Sequence, residues 1–221
     1  MISENTETFK YPLVIAVAGG SGSGKTTLCR KIIKIYGEDR IAYLSLDSFY
    51  HDLSHLTVLE KEQHNYDHPD SIDIISLEKA LTDLKSSQDT FVPIYDFLNH
   101  ERKREKELVS SRSIILLDGI LLYHYPAIVR MLDIKIFLHV PDRIRLDRRV
   151  KRDTLERGRS VESIVQQIKS SVQPMFEKYV LPSRTVADII IDNHSNYAPI
   201  YNAIHRHLMT SIVDTPNGNH N

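Results

Sequence analysis

The chain lacks the features that mark secreted, membrane-spanning or nucleic-acid-binding proteins. Its 221 residues contain one cysteine, Cys29, so no internal disulfide can form, which suits a reducing compartment. Lysine and arginine total 28 against 29 aspartate and glutamate, and this balance argues against binding to a nucleic-acid polymer or a membrane surface. No apolar run approaches the length of a membrane span, and the polar residues 1–10 do not resemble a signal peptide. We therefore expect a cytoplasmic protein.

A zinc site is also not indicated. Four histidines fall in a polar stretch, but they are scattered, lack a cysteine partner and match no zinc-ligand spacing: His51, His55, His64 and His68. Solvated or hydrogen-bonding histidines are the better interpretation.

What the chain does contain begins with a glycine-rich motif between an apolar run, 13–18, and a helical pattern, 28–35. The motif is G-x-x-x-x-G-K-[ST] in the strand–loop–helix context of a phosphate-binding loop. Lys25 is placed to reach the β/γ-phosphates, and the Thr26 hydroxyl to contact Mg²⁺. The alternative is a flexible Gly/Ser turn. The residues predicted to bind the nucleotide are Gly19, Gly20, Ser21, Gly22, Ser23, Gly24, Lys25, Thr26 and Thr27.

Apolar runs alternate with helical patterns along the chain. We predict strands near 13–18, 41–46, 113–117, 134–140 and 185–191, and helices near 25–36, 74–84, after Pro141-Asp142, and 198–212. Ser71 or Asp73 would cap the second helix. This pattern predicts an α/β fold, a P-loop NTPase-type doubly wound five-stranded parallel sheet flanked by helices. We expect a single domain over 1–221, with flexible tails at 1–10 and 215–221.

Two carboxylates follow predicted strands, at the sheet edge where α/β proteins bind ligands. Asp47 ends the second strand and would meet whatever the nucleotide acts on, although a helix-capping role is the alternative. Asp118 follows a strongly apolar strand in the Walker-B pattern, whose carboxylate holds Mg²⁺. Thr26, Asp47 and Asp118 are the candidate metal residues.

Residues 90–110 form two β-like runs around a charged turn, 100–104, which predicts an inserted hairpin. Its aromatic side chains, a histidine and an arginine would stack on and hydrogen-bond a planar ligand. A charged, solvent-exposed ribbon is the alternative.

Seven arginines lie between Arg143 and Arg159. Arg145, Arg149 and Arg152 share one helical face, and Gly158 then breaks the helix. Guanidinium groups match phosphate geometry, so a helical, Arg-rich lid near 150–160 that closes over the nucleotide is the functional interpretation. Exposed ion pairs on a charged helix are the alternative.

Together these stretches resemble the uridine–cytidine kinase family. The resemblance covers roughly residues 13–192 and rests on GGSGSGKTT, LDSFY, NYDHPDSID, PIYDFLNHER, LLDGILL, RRVKRDTLERGR and VQPMFEKYVLPSRTVADIII, in that order. It implies transfer of the γ-phosphate of ATP or GTP, with Mg²⁺, to the 5′-hydroxyl of uridine or cytidine. It also implies a homotetramer.

The resemblance assigns roles by position. Asp47 would be the general base, with Lys25 and Arg152 also catalytic, and Arg157 and Arg159 would contact phosphate or ribose. The substrate residues it implies are Asp47, Tyr50, Tyr66, Asp67, Tyr95, Phe97, His100, Arg102, Arg149, Arg152 and Gln167. One departure is Asp118, where the family usually has Glu; the shorter side chain retracts the charge by about 1.5 Å. We expect activity to survive with weaker metal affinity.

Three other functions fit the sequence less well. A regulatory GTPase needs a guanine-specifying Asn-Lys-x-Asp, which is missing. A phosphoribulokinase-like enzyme would share the loop and the fold but not need the aromatic hairpin. A non-catalytic nucleotide-binding module could dispense with Asp47 and the lid arginines, yet both are present.

Overall fold

A computed structural model describes residues 12–192 and 196–211. The predicted tails, 1–10 and 215–221, therefore lie outside the described residues. Within the described ranges the strands are β1 Leu13–Gly19, β2 Ile41–Ser45, β3 Thr90–Asp96, β4 Glu101–Val109, β5 Ile114–Gly119, β6 Ile134–Leu138 and β7 Ile189–Ile191. The helices are α1 Lys25–Tyr36, α2 Val58–Gln63, α3 Ile74–Lys85, α4 Pro126–Val129, α5 Asp142–Arg157, α6 Val161–Gln167, α7 Gln173–Met175 and α8 Ala198–Ser211. Wider π-type turns at Ile168–Val172 and Phe176–Val180 continue α6 and α7.

Five strands form one parallel sheet in the order β2-β5-β1-β6-β7, which confirms the predicted doubly wound fold. The two central strands, β1 and β5, are buried along their whole length because helices cover both faces of the sheet. On one face the sheet packs against α1 and α8, and on the other against α3. This arrangement brings the ends of β1, β2 and β5 together at one edge.

The predicted hairpin is present as the antiparallel pair β3–β4, with an irregular register between Pro93 and Tyr95. The sequence interpretation was wrong about its turn, because residues 101–104 already belong to β4. This strand is mostly exposed, so it shows none of the polar–apolar alternation from which a half-buried strand is predicted.

The fifth predicted strand was also too long. Residues Pro182–Val186 form a 3₁₀ turn, and only Ile189–Ile191 pair with β6. The second predicted helix begins after Asp73, whose carboxylate accepts a hydrogen bond from the Ser76 amide at 3.1 Å. Asp73, not Ser71, is thus the cap.

Candidate active site

The phosphate-binding loop connects β1 to α1 through glycines that no other residue can replace without strain. Gly22 and Gly24 have φ angles of +77° and +92°. A Cβ on Gly22 would lie 2.0 Å from the carbonyl oxygen of Arg145, so the loop packs directly onto the backbone of α5. The Lys25 ammonium donates to the Gly20 carbonyl at 3.1 Å, across the curve of the loop.

One large cavity, about 1370 Å³ in volume, opens in front of this loop. Not every predicted loop residue reaches it. Gly19, Gly20 and Ser23 lie behind the loop surface, where Gly19 meets Leu138 and Gly20 meets the Phe176 ring. The loop residues that line the cavity are Ser21, Gly22, Gly24, Lys25, Thr26 and Thr27.

Thr26 and Asp118 form a hydrogen-bonded pair on the cavity wall. The Thr26 hydroxyl donates to Asp118 Oδ2 at 2.9 Å, which joins the loop to the end of β5. No group of three or more His, Cys, Asp or Glu side chains suited to a metal occurs among the described residues. A hydroxyl and a carboxylate fit Mg²⁺ nonetheless, because this ion takes few protein oxygens and keeps water and substrate phosphate as its other ligands.

Asp47 lies in the 3₁₀ turn Leu46–Phe49 that follows β2, so it does not cap a helix, and its side chain lines the cavity. Burial raises the pKa of Asp47, and the nearby Asp118 charge raises it further, while Lys25 and the lid arginines oppose the shift. Burial also lowers the pKa of Lys25, with Asp118 and Asp47 opposing. These three groups therefore share one electrostatic environment.

The far half of the cavity is aromatic. Tyr66 stacks on His100 with ring centroids 4.4 Å apart and an interplanar angle of 22°. Tyr95 contacts both Tyr50 and Phe97, each with centroids 5.3 Å away. These side chains come from the segment after β2 and from the hairpin, so the hairpin forms an aromatic wall of the cavity that the phosphate-binding loop also lines.

Two polar atoms in this aromatic half have no hydrogen-bond partner among the described residues, although both are buried: the Tyr95 hydroxyl and His100 Nδ1. Burial and the Arg157 charge lower the pKa of His100, which favours the neutral ring. His100 also has a φ of +54°, a strained backbone for a residue other than glycine. Buried polar atoms of this kind are normally satisfied, and both residues line the cavity.

The arginines of the predicted lid contact both the phosphate-binding loop and the hairpin. Arg149 donates to Ser21 Oγ at 2.9 Å and to Gln167 at 3.1 Å, and Arg159 donates to the same Gln167 oxygen at 2.6 Å. The Arg157 guanidinium lies 5.1 Å from the centre of the Phe97 ring, so the lid also contacts the hairpin. The other predicted residues on the cavity wall are Asp47, Tyr50, Tyr66, Asp67, Tyr95, His100, Asp118 and Arg152.

Arg102 is a correction to the sequence analysis, because the structure does not place it on the cavity wall. Its guanidinium donates to the Tyr50 carbonyl at 2.7 Å, the Phe49 carbonyl at 3.2 Å and Asp73 at 3.0 Å. Arg102 thus fastens the hairpin to the segment that carries Asp47. Arg145 also differs from its predicted face-mates Arg149 and Arg152: it does not line the cavity, and its guanidinium stacks 3.7 Å above the Phe176 ring.

Sequence reasoning missed three residues near the site. Lys61 lines the cavity from α2 and forms an ion pair with Glu101 of the hairpin at 2.7 Å. Tyr43 of β2 lies beside Asp118, and burial together with that carboxylate raises its pKa. Asp153 is fully buried among the lid arginines. Lys61 and Tyr43 belong to no motif; Asp153 lies within the RRVKRDTLERGR stretch, where its charge alone indicates only an ion pair.

Comparison with known proteins matches residues 14–198 to the phosphoribulokinase / uridine kinase family. The chain belongs to this family. Among family members, the uridine-cytidine kinase B of Dictyostelium discoideum is 39% identical over 214 residues, which cover 97% of this chain and 88% of that protein. A uridine kinase of Ligilactobacillus salivarius is 43% identical over 180 residues, covering 81% and 84%. A solved structure described as a possible uridine kinase from Bacillus stearothermophilus has a TM-score of 0.61 at 19% identity, covering 84% of this chain and 91% of that one, and it supports the fold.

In the described part of the chain, no helix combines the length and the hydrophobicity that crossing a bilayer requires.

Proposed function

We propose that this protein is an ATP-dependent kinase that phosphorylates the 5′-hydroxyl of uridine and cytidine to give UMP and CMP. The relatives that carry uridine kinase names, at about 40% identity over most of the chain, support this substrate class. So does the presence of a phosphate-binding loop and an aromatic pocket in one cavity.

The observation that carries the proposal is the aromatic wall of the cavity, where Tyr66 stacks on His100 and Tyr95 contacts Tyr50 and Phe97. A pyrimidine ring offers an apolar face for these side chains, and its polar edge matches the unpartnered Tyr95 hydroxyl and His100 Nδ1. A phosphorylated sugar has no such face. The hairpin therefore favours a nucleoside acceptor.

Asp47 is placed to accept the proton of the attacking hydroxyl. Phosphoryl transfer passes through a loose transition state, so the orientation of the hydroxyl matters more than its early deprotonation. Lys25, Arg152 and Arg157 supply positive charge where the phosphoryl oxygens gain negative charge. Asp67 would bind the ribose hydroxyls. Its side chain is buried, and burial raises its pKa.

Thr26 and Asp118 would hold the Mg²⁺ that accompanies the nucleotide, with Asp47 on the same side of the cavity. When bound, this ion neutralises phosphate charge. Because Asp118 already reaches the Thr26 hydroxyl, its shorter side chain is compatible with this role. ATP is the proposed donor, and GTP remains an alternative that no residue distinguishes. A cytoplasmic location and a homotetrameric state stay predictions from the sequence.

The test is phosphorylation of an acceptor panel with ATP and Mg²⁺: uridine, cytidine, deoxycytidine, adenosine and ribulose 5-phosphate. We expect 5′-monophosphates of uridine and cytidine, with poor use of deoxycytidine because an unpaired buried ribose contact is costly. Exclusive phosphorylation of the sugar phosphate would refute the proposal.

A further inference from the structure

Asp153 lies at the centre of the lid arginines without lining the cavity. The side chain is fully buried, one turn before the end of α5. Its Oδ1 accepts a hydrogen bond from Arg152 Nε at 2.8 Å, and Arg152 Nη2 forms an ion pair with the same oxygen at 2.7 Å. Arg157 Nε lies 3.7 Å from the same oxygen, and Arg149 Nε lies 3.5 Å from Oδ2. Three guanidinium groups thus converge on one carboxylate.

The backbone of Asp153 organises a fourth arginine. Its carbonyl accepts the amide of Gly158, which ends α5 in a left-handed conformation, and the amide of Arg159 at 3.2 Å. Arg159 then reaches Gln167, the residue that also receives Arg149. Asp153 therefore fixes two things: its backbone carbonyl fixes the path of the chain out of α5, and its carboxylate fixes the directions of the guanidinium groups.

The arrangement differs from a closed structural ion pair. Asp153 Oδ2 and Arg149 Nε have no hydrogen-bond partner by geometry within the described residues, so the cluster retains unused capacity. Arg152 and Arg157 keep 35% and 27% of their side chains exposed and line the cavity, whereas Asp153 is inaccessible. The buried carboxylate offsets the mutual repulsion of the arginines, while those of their N–H groups that do not bind Asp153 remain available to the cavity.

We propose that Asp153 is a positioning residue, an internal counter-ion that holds Arg149, Arg152 and Arg157 in the directions from which they bind the phosphate chain. It acts through these arginines and does not touch the substrate. The inference rests on the proposed function in that the arginines serve phosphate binding, but it can be tested without any nucleoside.

The test is binding of inorganic tripolyphosphate, measured by calorimetry, to Asp153→Asn and to Asp147→Asn. Asp147 is exposed on the same helix, so both variants gain the same charge. Coulomb attraction alone predicts that each variant binds the polyanion as tightly as the unmutated protein or tighter. Positioning predicts that Asp153→Asn binds about 10- to 100-fold more weakly, because the arginines lose their orientation. Equal or tighter binding by Asp153→Asn than by Asp147→Asn would overturn the proposal.

A double-mutant cycle with Arg152→Gln shows whether Asp153 acts through that arginine. We expect the double variant to lose much less affinity than the product of the two single fold-losses, because Asp153→Asn weakens binding by misorienting Arg152, which the double variant lacks. Losses that simply multiply would contradict the proposal. If the unmutated protein binds tripolyphosphate but phosphorylates no nucleoside, the proposed function fails while this cycle still decides the role of Asp153.

A measurement on the unmutated protein applies even if Asp153→Asn does not fold. In ¹⁵N–¹H spectra without nucleotide, the Arg152 Nε–H proton should exchange with water at least about tenfold more slowly than that of exposed Arg143, because it donates to a buried carboxylate. Equal exchange rates would show that Asp153 does not hold Arg152.

Discussion

The Thr26 hydroxyl and the Asp118 carboxylate, 92 positions apart in the chain, meet at 2.9 Å. The contact joins the first turn of α1 to the end of β5, and it follows from the neighbouring positions of β1 and β5 in the sheet. It brings the two residues that the loop and Walker-B patterns assign to Mg²⁺ to one point.

This contact predicts the behaviour of two variants of Asp118. Asp118→Asn removes the charge, so we expect turnover to fall by about 100-fold or more and the Mg²⁺ concentration for half-maximal rate to rise. Asp118→Glu keeps the charge, so we expect turnover within a few-fold of the unmutated protein. The measurement is a Mg²⁺ titration of the rate of ADP formation. A sharply lower Mg²⁺ requirement in Asp118→Glu would show instead that the natural aspartate weakens metal binding.

Asp47→Asn should raise thermal stability while abolishing turnover. The folded-state pKa of Asp47 is raised above its usual value of 3.8, so ionisation is less favourable in the folded than in the unfolded chain. The carboxylate therefore destabilises the fold increasingly as pH rises from the unfolded pKa to the folded pKa, and by a constant amount above that, so removing it relieves this cost. The melting temperature of Asp47→Asn is measured between pH 5 and 8 and compared with that of the unmutated protein, and its rate of uridine phosphorylation is measured in parallel.

Asp73→Asn is the matched control, because the pKa of Asp73 is lowered and the change in melting temperature should be opposite to that of Asp47→Asn. Burial alone would raise the pKa of Asp73, but hydrogen bonds from Ser76 and Arg102 outweigh it and lower the pKa. Its contribution is thus stabilising above the unfolded pKa, and the variant should melt at a lower temperature at neutral pH. A lower melting temperature for Asp47→Asn as well would contradict the account of the buried carboxylate.

Tyr95→Phe tests the nucleoside pocket by removing one hydroxyl. We expect kcat/KM for uridine to fall by about 10- to 100-fold, because a substrate hydrogen bond is lost at a buried site. Binding of ATP should not change, since Tyr95 belongs to the aromatic wall and not to the phosphate-binding loop. Phe91→Ala, an exposed position on the same hairpin, serves as the control and should leave kinetics unaltered. Unchanged uridine kinetics in Tyr95→Phe would contradict the proposal that the hairpin binds the nucleoside through the Tyr95 hydroxyl.

Arg102→Ala tests whether Arg102 is structural. Losing its bonds to Phe49, Tyr50 and Asp73 should lower the free energy of unfolding by about 2–4 kcal/mol. Arg104→Ala, exposed on the same strand, should change it by less than about 0.5 kcal/mol. Chemical denaturation measures both. Unaltered stability of Arg102→Ala, together with a higher KM for uridine, would restore the substrate-binding role predicted from the sequence.

Local signals explain what the sequence predicted well. The α1 bounds at Lys25 and Tyr36 match the structure because glycines stand on either side, Gly24 and Gly37, both with positive φ. The buried strands β1 and β5 were recognisable from continuous apolar runs, which only a sheet covered on both faces explains.

Long-range contacts explain what it did not predict. The partners of Arg102 lie between 29 and 53 positions away, so no local pattern shows that its donors are already used. Asp153 follows Arg152 in a charged helix, where a paired surface carboxylate is the ordinary expectation; its burial depends on how α5 packs. An exposed strand carries no hydrophobic period, so the sequence predicts a turn for part of the charged strand β4.

A competition assay tests the central claim most directly. Uridine and ribulose 5-phosphate are supplied together at equal concentration with limiting ATP and Mg²⁺, and the phosphorylated products are separated and quantified. We predict that 5′-UMP forms in a one-to-one ratio with ADP and that the sugar phosphate stays unreacted. Formation of the sugar bisphosphate in place of UMP, or of ADP without UMP, would contradict the assignment of this cavity to a pyrimidine nucleoside.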